Sequence, residues 1–204
     1  MPCSTIWGTK SIQQFRQVRG NYQCIIGFNE CNLGSQANLS PTDAARIWNQ
    51  EVGWLAKKGV VLVGPSVTTA PNGFQWMIDF FNACGNANGP HCGVSMINLH
   101  YYGTNVQDFI SYMTKFYNKF HLPIMVTEFA CTDFSGRVHP SPAQVRAFMA
   151  GVISWMESTS WITGYCAFGI TDGSLWGVSE NARMLSGPST LNSLGRAYVE
   201  GTWV

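Results

Sequence analysis

The sequence predicts an α/β fold of consecutive βα units, and three observations carry that reading. Short apolar or β-branched runs recur at residues 3–7, 24–28, 60–63, 94–99, 124–126 and 162–168. Such runs, apolar at nearly every position, read as strands buried on both faces of a parallel sheet. Segments of helical spacing separate them, and capping residues mark where those helices begin.

In chain order, the first run is followed by a short helix on Ile12, Phe15 and Val18. After the second run, Ala45, Trp48, Val52 and Leu55 step by three and four. Ser40-Pro41-Thr42-Asp43 places a capping serine before proline at the first helical position. Gly59 then ends that segment where a left-handed residue is usual. Phe74, Met77, Ile78 and Phe81 mark the helix after the third run; Phe109, Met113, Phe116 and Phe120 mark the one after the fourth. Val145, Phe148, Met149, Val152 and Met156 follow the fifth, behind Ser141-Pro142. Leu191, Leu194 and Tyr198 close the chain. No linker or low-complexity stretch interrupts residues 1–204, so a single domain is expected.

Composition removes several function classes. The 204 residues are 46% hydrophobic and 13% aromatic but only 11% charged, the reverse of a disordered chain. Twelve Lys+Arg against 11 Asp+Glu give a net charge of +1, with no basic run to neutralise phosphates, so no nucleic-acid partner is expected. No apolar run approaches the ~20 residues that span a bilayer, so no membrane partner is expected either. Four histidines (His91, His100, His121, His139) show no paired ligand spacing, and neither metal nor cofactor is expected. A neutral polar ligand such as a carbohydrate suits what remains.

Seven cysteines point to an oxidising compartment, and the odd number leaves at least one thiol unpaired. Cys84 and Cys92 bracket a short polar loop and are expected to pair. Asn38-Leu39-Ser40 is a glycosylation sequon, informative for a secreted chain. The residues ahead of Cys3 do not read as a signal peptide, so the expectation from them and the expectation from the cysteines point in opposite directions.

Among 11 carboxylates, nine fall in helices or polar loops, where caps and solvated faces explain them. Glu30, at the end of Cys-Ile-Ile-Gly-Phe-Asn-Glu, and Glu128, at the end of Pro-Ile-Met-Val-Thr-Glu, do not. Each stands at the carboxyl end of an apolar strand, where an ionisable group is costly to bury unless partnered. They lie on the second and fifth strands. In a closed barrel that separation turns two side chains toward each other across the mouth. Two facing carboxyls are what glycoside hydrolysis requires. Asn29 precedes Glu30; His100, Tyr101 and Tyr102 end the fourth strand; Trp7 ends the first and Phe168 the last. Aromatic rings stack on sugar faces, and polar tips orient hydroxyls. Consecutive βα units with functional side chains at several strand ends favour a TIM-type (β/α) barrel over a doubly wound sheet, which would carry a Gly-rich phosphate loop.

Six segments together resemble glycoside hydrolase family 128: Trp7-Gly8, Gly27-Phe28-Asn29-Glu30, Gly64-Pro65-Ser66-Val67, Asn98-Leu99-His100-Tyr101-Tyr102, Thr127-Glu128-Phe129 and Leu194-Gly195-Arg196-Ala197-Tyr198. The resemblance covers essentially the whole chain. It implies an endo-β-1,3-glucanase of the alkali-sensitive-linkage type, secreted or in the cell wall, acting as a monomer on β-glucan with retention of configuration. It implies Glu30 as acid/base, Glu128 as nucleophile, and Asn29, His100 and Tyr102 around the attacked sugar.

Two departures shape the expectation. Family members carry two strands before the one ending in Trp-Gly, so the barrel is expected to be N-terminally shortened. Six units in 204 residues are about 34 each, whereas eight would need about 272. The last strand reads Tyr165-Cys166-Ala167-Phe168 where the family has Tyr-Ala-Trp-Phe, so Ala167 replaces a tryptophan platform. The alternative reading these departures support is a glucan-binding or wall-associated protein with little turnover.

Overall fold

The six apolar runs become six strands: β1 (Cys3–Thr5), β2 (Cys24–Ile26), β3 (Val61–Val67), β4 (Met96–Gly103), β5 (Ile124–Cys131) and β6 (Ile162–Ala167). A computed structural model describes residues 3–203. The strands form one sheet in sequential order, β1-β2-β3-β4-β5-β6, and the pairs from β1 to β4 are parallel. Sequential order with a helix between strands is the βα pattern read from the sequence. The molecule has the α/β fold expected of a TIM-type barrel shortened to six βα units.

The helices are α1 (Ile12–Val18), α2 (Pro41–Glu51), α3 (Gly73–Cys84), α4 (Val106–Phe120), α5 (Pro142–Glu157) and α6 (Ser193–Glu200). By compactness the chain divides into two units, residues 3–100 with 116–125, and residues 101–115 with 126–203. Strands β4 and β5 and helix α4 each run from one unit into the other.

In the first unit, the periodicity of α2 and α3 buries Ala45, Trp48, Met77 and Phe80. Trp48 meets Phe28 and Phe80 edge-on, with centroids 6.1 and 6.0 Å apart; such pairs add about 1 kcal/mol each beyond burial. Ser40 caps α2 by accepting from the Asp43 amide at 3.1 Å. Gly27 is required by backbone proximity: a Cβ there would stand 2.7 Å from the Gly64 carbonyl carbon. Cys3 and Cys24, register partners on β1 and β2, form one disulfide, and Cys84–Cys92 forms the expected second. Cys31 and Cys131 are free and buried, while Cys166 is free and exposed.

The second unit packs α5 through Val145, Phe148, Met149 and Val152. Ser141 and Gln144 close a capping box at its start. Phe109 contacts Phe129, Phe148 and Trp155 edge-on or tilted. A hairpin that the pattern reading missed, β7 (Leu185–Gly187) with β8 (Thr190–Leu191), precedes α6.

Three strands outrun their apolar runs. The run at 60–63 continues through Gly64 and Pro65 to Val67, that at 94–99 to Gly103, and that at 124–126 to Cys131. Polar residues at these positions disguise the strand ends. Among the described residues, no helix is long and apolar enough to cross a membrane.

Candidate active site

The predicted site residues of the first unit gather at the carboxyl ends of β1, β2 and β4. Glu30 lies four residues past the end of β2, with a left-handed backbone at φ 45°. A non-glycine residue in that region is held there by its surroundings. The holding group is Ser66 on β3. Its buried hydroxyl accepts the Glu30 amide at 2.8 Å, and its carbonyl accepts the Cys31 amide at 3.1 Å. Leu33 N–H closes a turn back to the Glu30 carbonyl at 3.0 Å. Ser66 is the positioning residue that sequence reasoning did not single out, although it sits in the Gly64-Pro65-Ser66-Val67 segment.

Glu30 is 6% exposed and His100 only 2%. His100 Nδ1 lies 3.0 Å from Glu30 Oε1, the length of an N–H···O hydrogen bond. A carboxyl group this buried is costly without such a partner. Asn29 donates from its amide to Gln36 Oε1 at 3.1 Å, and its backbone N–H reaches the Trp7 carbonyl at 2.9 Å. Trp7 is 41% exposed, an open aromatic face beyond the end of β1.

In the second unit, Glu128 lies inside β5, three residues before its end, and is only half-buried. Tyr102 donates its hydroxyl to Glu128 Oε2 at 2.6 Å, within the short range of a hydroxyl–carboxylate bond. The Tyr102 ring contacts Phe168 and Phe134 at centroid distances of 6.0 and 5.2 Å. Phe168 in turn contacts Trp176 at 6.2 Å. Phe134 and Trp176 went unnoticed in the sequence, because each sits in a polar loop without periodicity.

Tyr101 stands elsewhere. Successive residues of a strand face opposite sides, so Tyr101 turns away from its neighbour Tyr102 into the core of this unit. It is 6% exposed, meets Phe109 edge-on, stacks parallel to Phe148, and donates its hydroxyl to the Asn105 carbonyl at 3.4 Å. Burial pushes its hydroxyl up to about 12. The carboxylate of Asp133, in the loop after β5, accepts the amides of Ser135 and Val138 at 2.8 and 2.9 Å. The Ser135 hydroxyl and these amides hold it below the usual carboxylate range. Its work is to shape that loop.

Residues 1–198 match the family model described as glycosyl hydrolase catalytic core. The chain belongs to that family and, within it, to glycoside hydrolase family 128. An exo-β-1,3-glucanase of this family from Aureobasidium namibiae is 28% identical over 95% of this chain and 75% of its own, with a TM-score of 0.82. An exo-β-1,3-glucanase from Cryptococcus neoformans is 27% identical, covers 98% of this chain and 77% of its own, and has a TM-score of 0.85. An endo-β-1,3-glucanase from Amycolatopsis mediterranei, in complex with laminaritriose, is 28% identical over 96% and 80%, with a TM-score of 0.79. Family 128 therefore holds exo-acting as well as endo-acting members, a wider range than the resemblance implied. Alkali-sensitive linkage protein 1 of Schizosaccharomyces pombe is 28% identical over 181 residues and 86% of this chain. The chain spans about a third of that relative's length, 32%.

Proposed function

We propose that this chain is a β-1,3-glucan hydrolase working by two-step displacement with retention. The observation that carries the proposal is a pair of carboxylates in one sequentially ordered sheet. Glu30 follows β2 and Glu128 lies near the carboxyl end of β5, and each is oriented by a hydrogen-bonding neighbour. Membership of a β-1,3-glucanase family supports the substrate class.

In this mechanism Glu128 attacks the anomeric carbon as a carboxylate and forms a glycosyl–enzyme ester. The Tyr102 hydroxyl orients the Glu128 carboxylate by donating to its Oε2. Glu30 delivers its proton to the departing glycosidic oxygen, then takes one from the water that cleaves the ester. With His100 bound to Oε1, the proton moves through Oε2. Asn29 and Trp7 serve as sugar-binding groups at the Glu30 end, and Phe168 serves beside Glu128. The chain acts as one domain and a monomer, on polysaccharide outside the cell or in the wall, without cofactor, nucleic-acid or membrane partner. Its two disulfides support that location.

Incubation with laminarin and laminarihexaose, with products followed by chromatography and anomeric NMR, tests the reading. Early release of β-anomeric internal fragments is expected. Single glucose units released from one end would replace the endo assignment by exo action. Binding without cleavage would select the glucan-binding alternative, and indifference to laminarin would overturn the proposal.

A further inference from the structure

Two large aromatic side chains in the second unit face water. Trp176 is 74% exposed and Phe134 is 59% exposed. Exposing so much apolar surface forgoes the stabilisation burial would give. Large exposed apolar faces gathered on one surface mark binding sites.

The backbone under Trp176 points the same way. The Val178 amide bonds the Leu175 carbonyl at 2.9 Å, closing a four-residue turn. Its two central residues, Trp176 and Gly177, both have positive φ, 47° and 89°. That combination defines a type I′ turn, whose first central position favours asparagine, aspartate or glycine. A tryptophan there breaks the local rule, and no contact in the core repays it. Leu175 and Val178, 2% and 6% exposed, anchor the turn on either side, and the Trp176 amide donates to Ser174 Oγ at 3.0 Å. The turn is thereby a rigid mount for an outward-facing indole.

The loop carrying Phe134 is fastened to the same turn. The Ser179 amide donates to Thr132 Oγ1 at 3.0 Å, and the Phe134 ring lies against Gly177, where a Cβ would meet it at 3.6 Å. Both rings connect to the catalytic carboxylate through aromatic contacts: Trp176 to Phe168, Phe168 and Phe134 to Tyr102, and Tyr102 to Glu128. Beside Phe134 and Gly177 opens a cavity of about 500 Å³ with mixed walls, apolar at Val138 and Pro140 and polar at His139 and Asn181.

We infer that Trp176 and Phe134 form a stacking platform for a glucosyl unit of the substrate, adjoining the Glu128 site. This rests on the hydrolase reading above and extends it to a subsite. A β-linked glucosyl ring carries its hydroxyls equatorially and presents C–H faces that pack on indole and phenyl rings. Trp176 contacts the Phe168 ring directly, and it offers the exposed indole that Ala167 does not.

Trp176→Asn is the discriminating variant, because asparagine is a favoured residue at this turn position. Laminarihexaose affinity is measured by calorimetry on wild type, Trp176→Asn and Trp176→Phe, with melting temperature and laminarin cleavage measured in parallel. Trp176→Asn is expected to melt no lower than wild type yet bind about five- to tenfold more weakly, with Trp176→Phe recovering most of the loss. In kinetics the effect falls mainly on KM. Unchanged affinity in Trp176→Asn, with laminarin still cleaved by wild type, overturns the platform and leaves the hydrolase reading standing. Weakened binding by a wild type that binds without cleaving supports the platform and overturns the hydrolytic reading. A wild type that neither binds nor cleaves overturns both.

Discussion

The surroundings of Glu30 and of Glu128 solve one problem in opposite ways. Glu30 stands off its strand, in a left-handed backbone conformation, almost fully buried, and clamped through its main chain by Ser66 and through its side chain by His100. Glu128 keeps ordinary strand geometry, is half-buried, and accepts a short hydrogen bond from the Tyr102 phenol in an aromatic setting. A buried carboxyl beside a histidine suits a group that must carry and return a proton. A more open carboxylate with one oxygen fixed suits a group that must approach carbon. The two roles are written in different materials, backbone strain on one side and side-chain contact on the other.

The largest way to break this comparison is to remove each carboxylate. Glu128→Gln is expected to abolish turnover of both laminarin and an activated aryl β-glucoside. Glu30→Gln is expected to slow laminarin cleavage by about 10²–10⁴-fold while sparing the first step on the aryl substrate, read as its kcat/KM or an initial burst of aglycone, because that leaving group needs no proton. Equal losses on both substrates in both variants would erase the distinction. The next effect is Tyr102→Phe, which deletes the short bond to Glu128. A charged hydrogen bond is worth about 1.5–3 kcal/mol, so kcat should fall by roughly 10–100-fold with KM little changed. A change confined to KM would assign Tyr102 to substrate binding alone.

Ser66→Ala sharpens the Glu30 side. It leaves the Glu30 amide without its acceptor, at a cost of about 1–3 kcal/mol in denaturant unfolding. A neutral result would show that the strained turn holds without it.

The smallest effect lies away from the site, at Glu51 on α2. The Arg16 guanidinium donates to its carboxylate, with Arg19 2.8 Å away. The Arg16 hydrogen bond above all, then charge attraction from both arginines, holds Glu51 below its ordinary value of 4.5. A depressed carboxylate stabilises the fold above its unfolded value, and that contribution is lost as pH falls through the folded one. Glu51→Gln should therefore cost about 1–2 kcal/mol near neutrality, and the gap from wild type should close below about pH 4. A gap independent of pH would contradict it.

Much of this was legible in the sequence, for identifiable reasons. Glu30 and Glu128 stood out because an acid ending an apolar run has few structural excuses. His100 and Tyr102 share one strand face, and the alternation that unites them also removes Tyr101, a consequence the motif alone concealed. Cys84–Cys92 could be read from its short loop. Cys3–Cys24 could not, because it depends on the register of β1 against β2. Ser66 escaped notice because a serine inside an apolar strand signals nothing until the neighbouring turn is seen. Trp176 escaped because a Trp-Gly pair becomes informative only when both residues prove to have positive φ.

The central claim is that Glu128 attacks carbon while Glu30 moves the proton. A slow mechanism-based substrate, a 2-deoxy-2-fluoro laminaribioside with an activated leaving group, followed by peptide mass spectrometry, tests it most directly. The account predicts one glycosyl adduct on the peptide containing Glu128, absent from Glu128→Gln. An adduct on Glu30, or turnover with inverted configuration and no adduct, would contradict it.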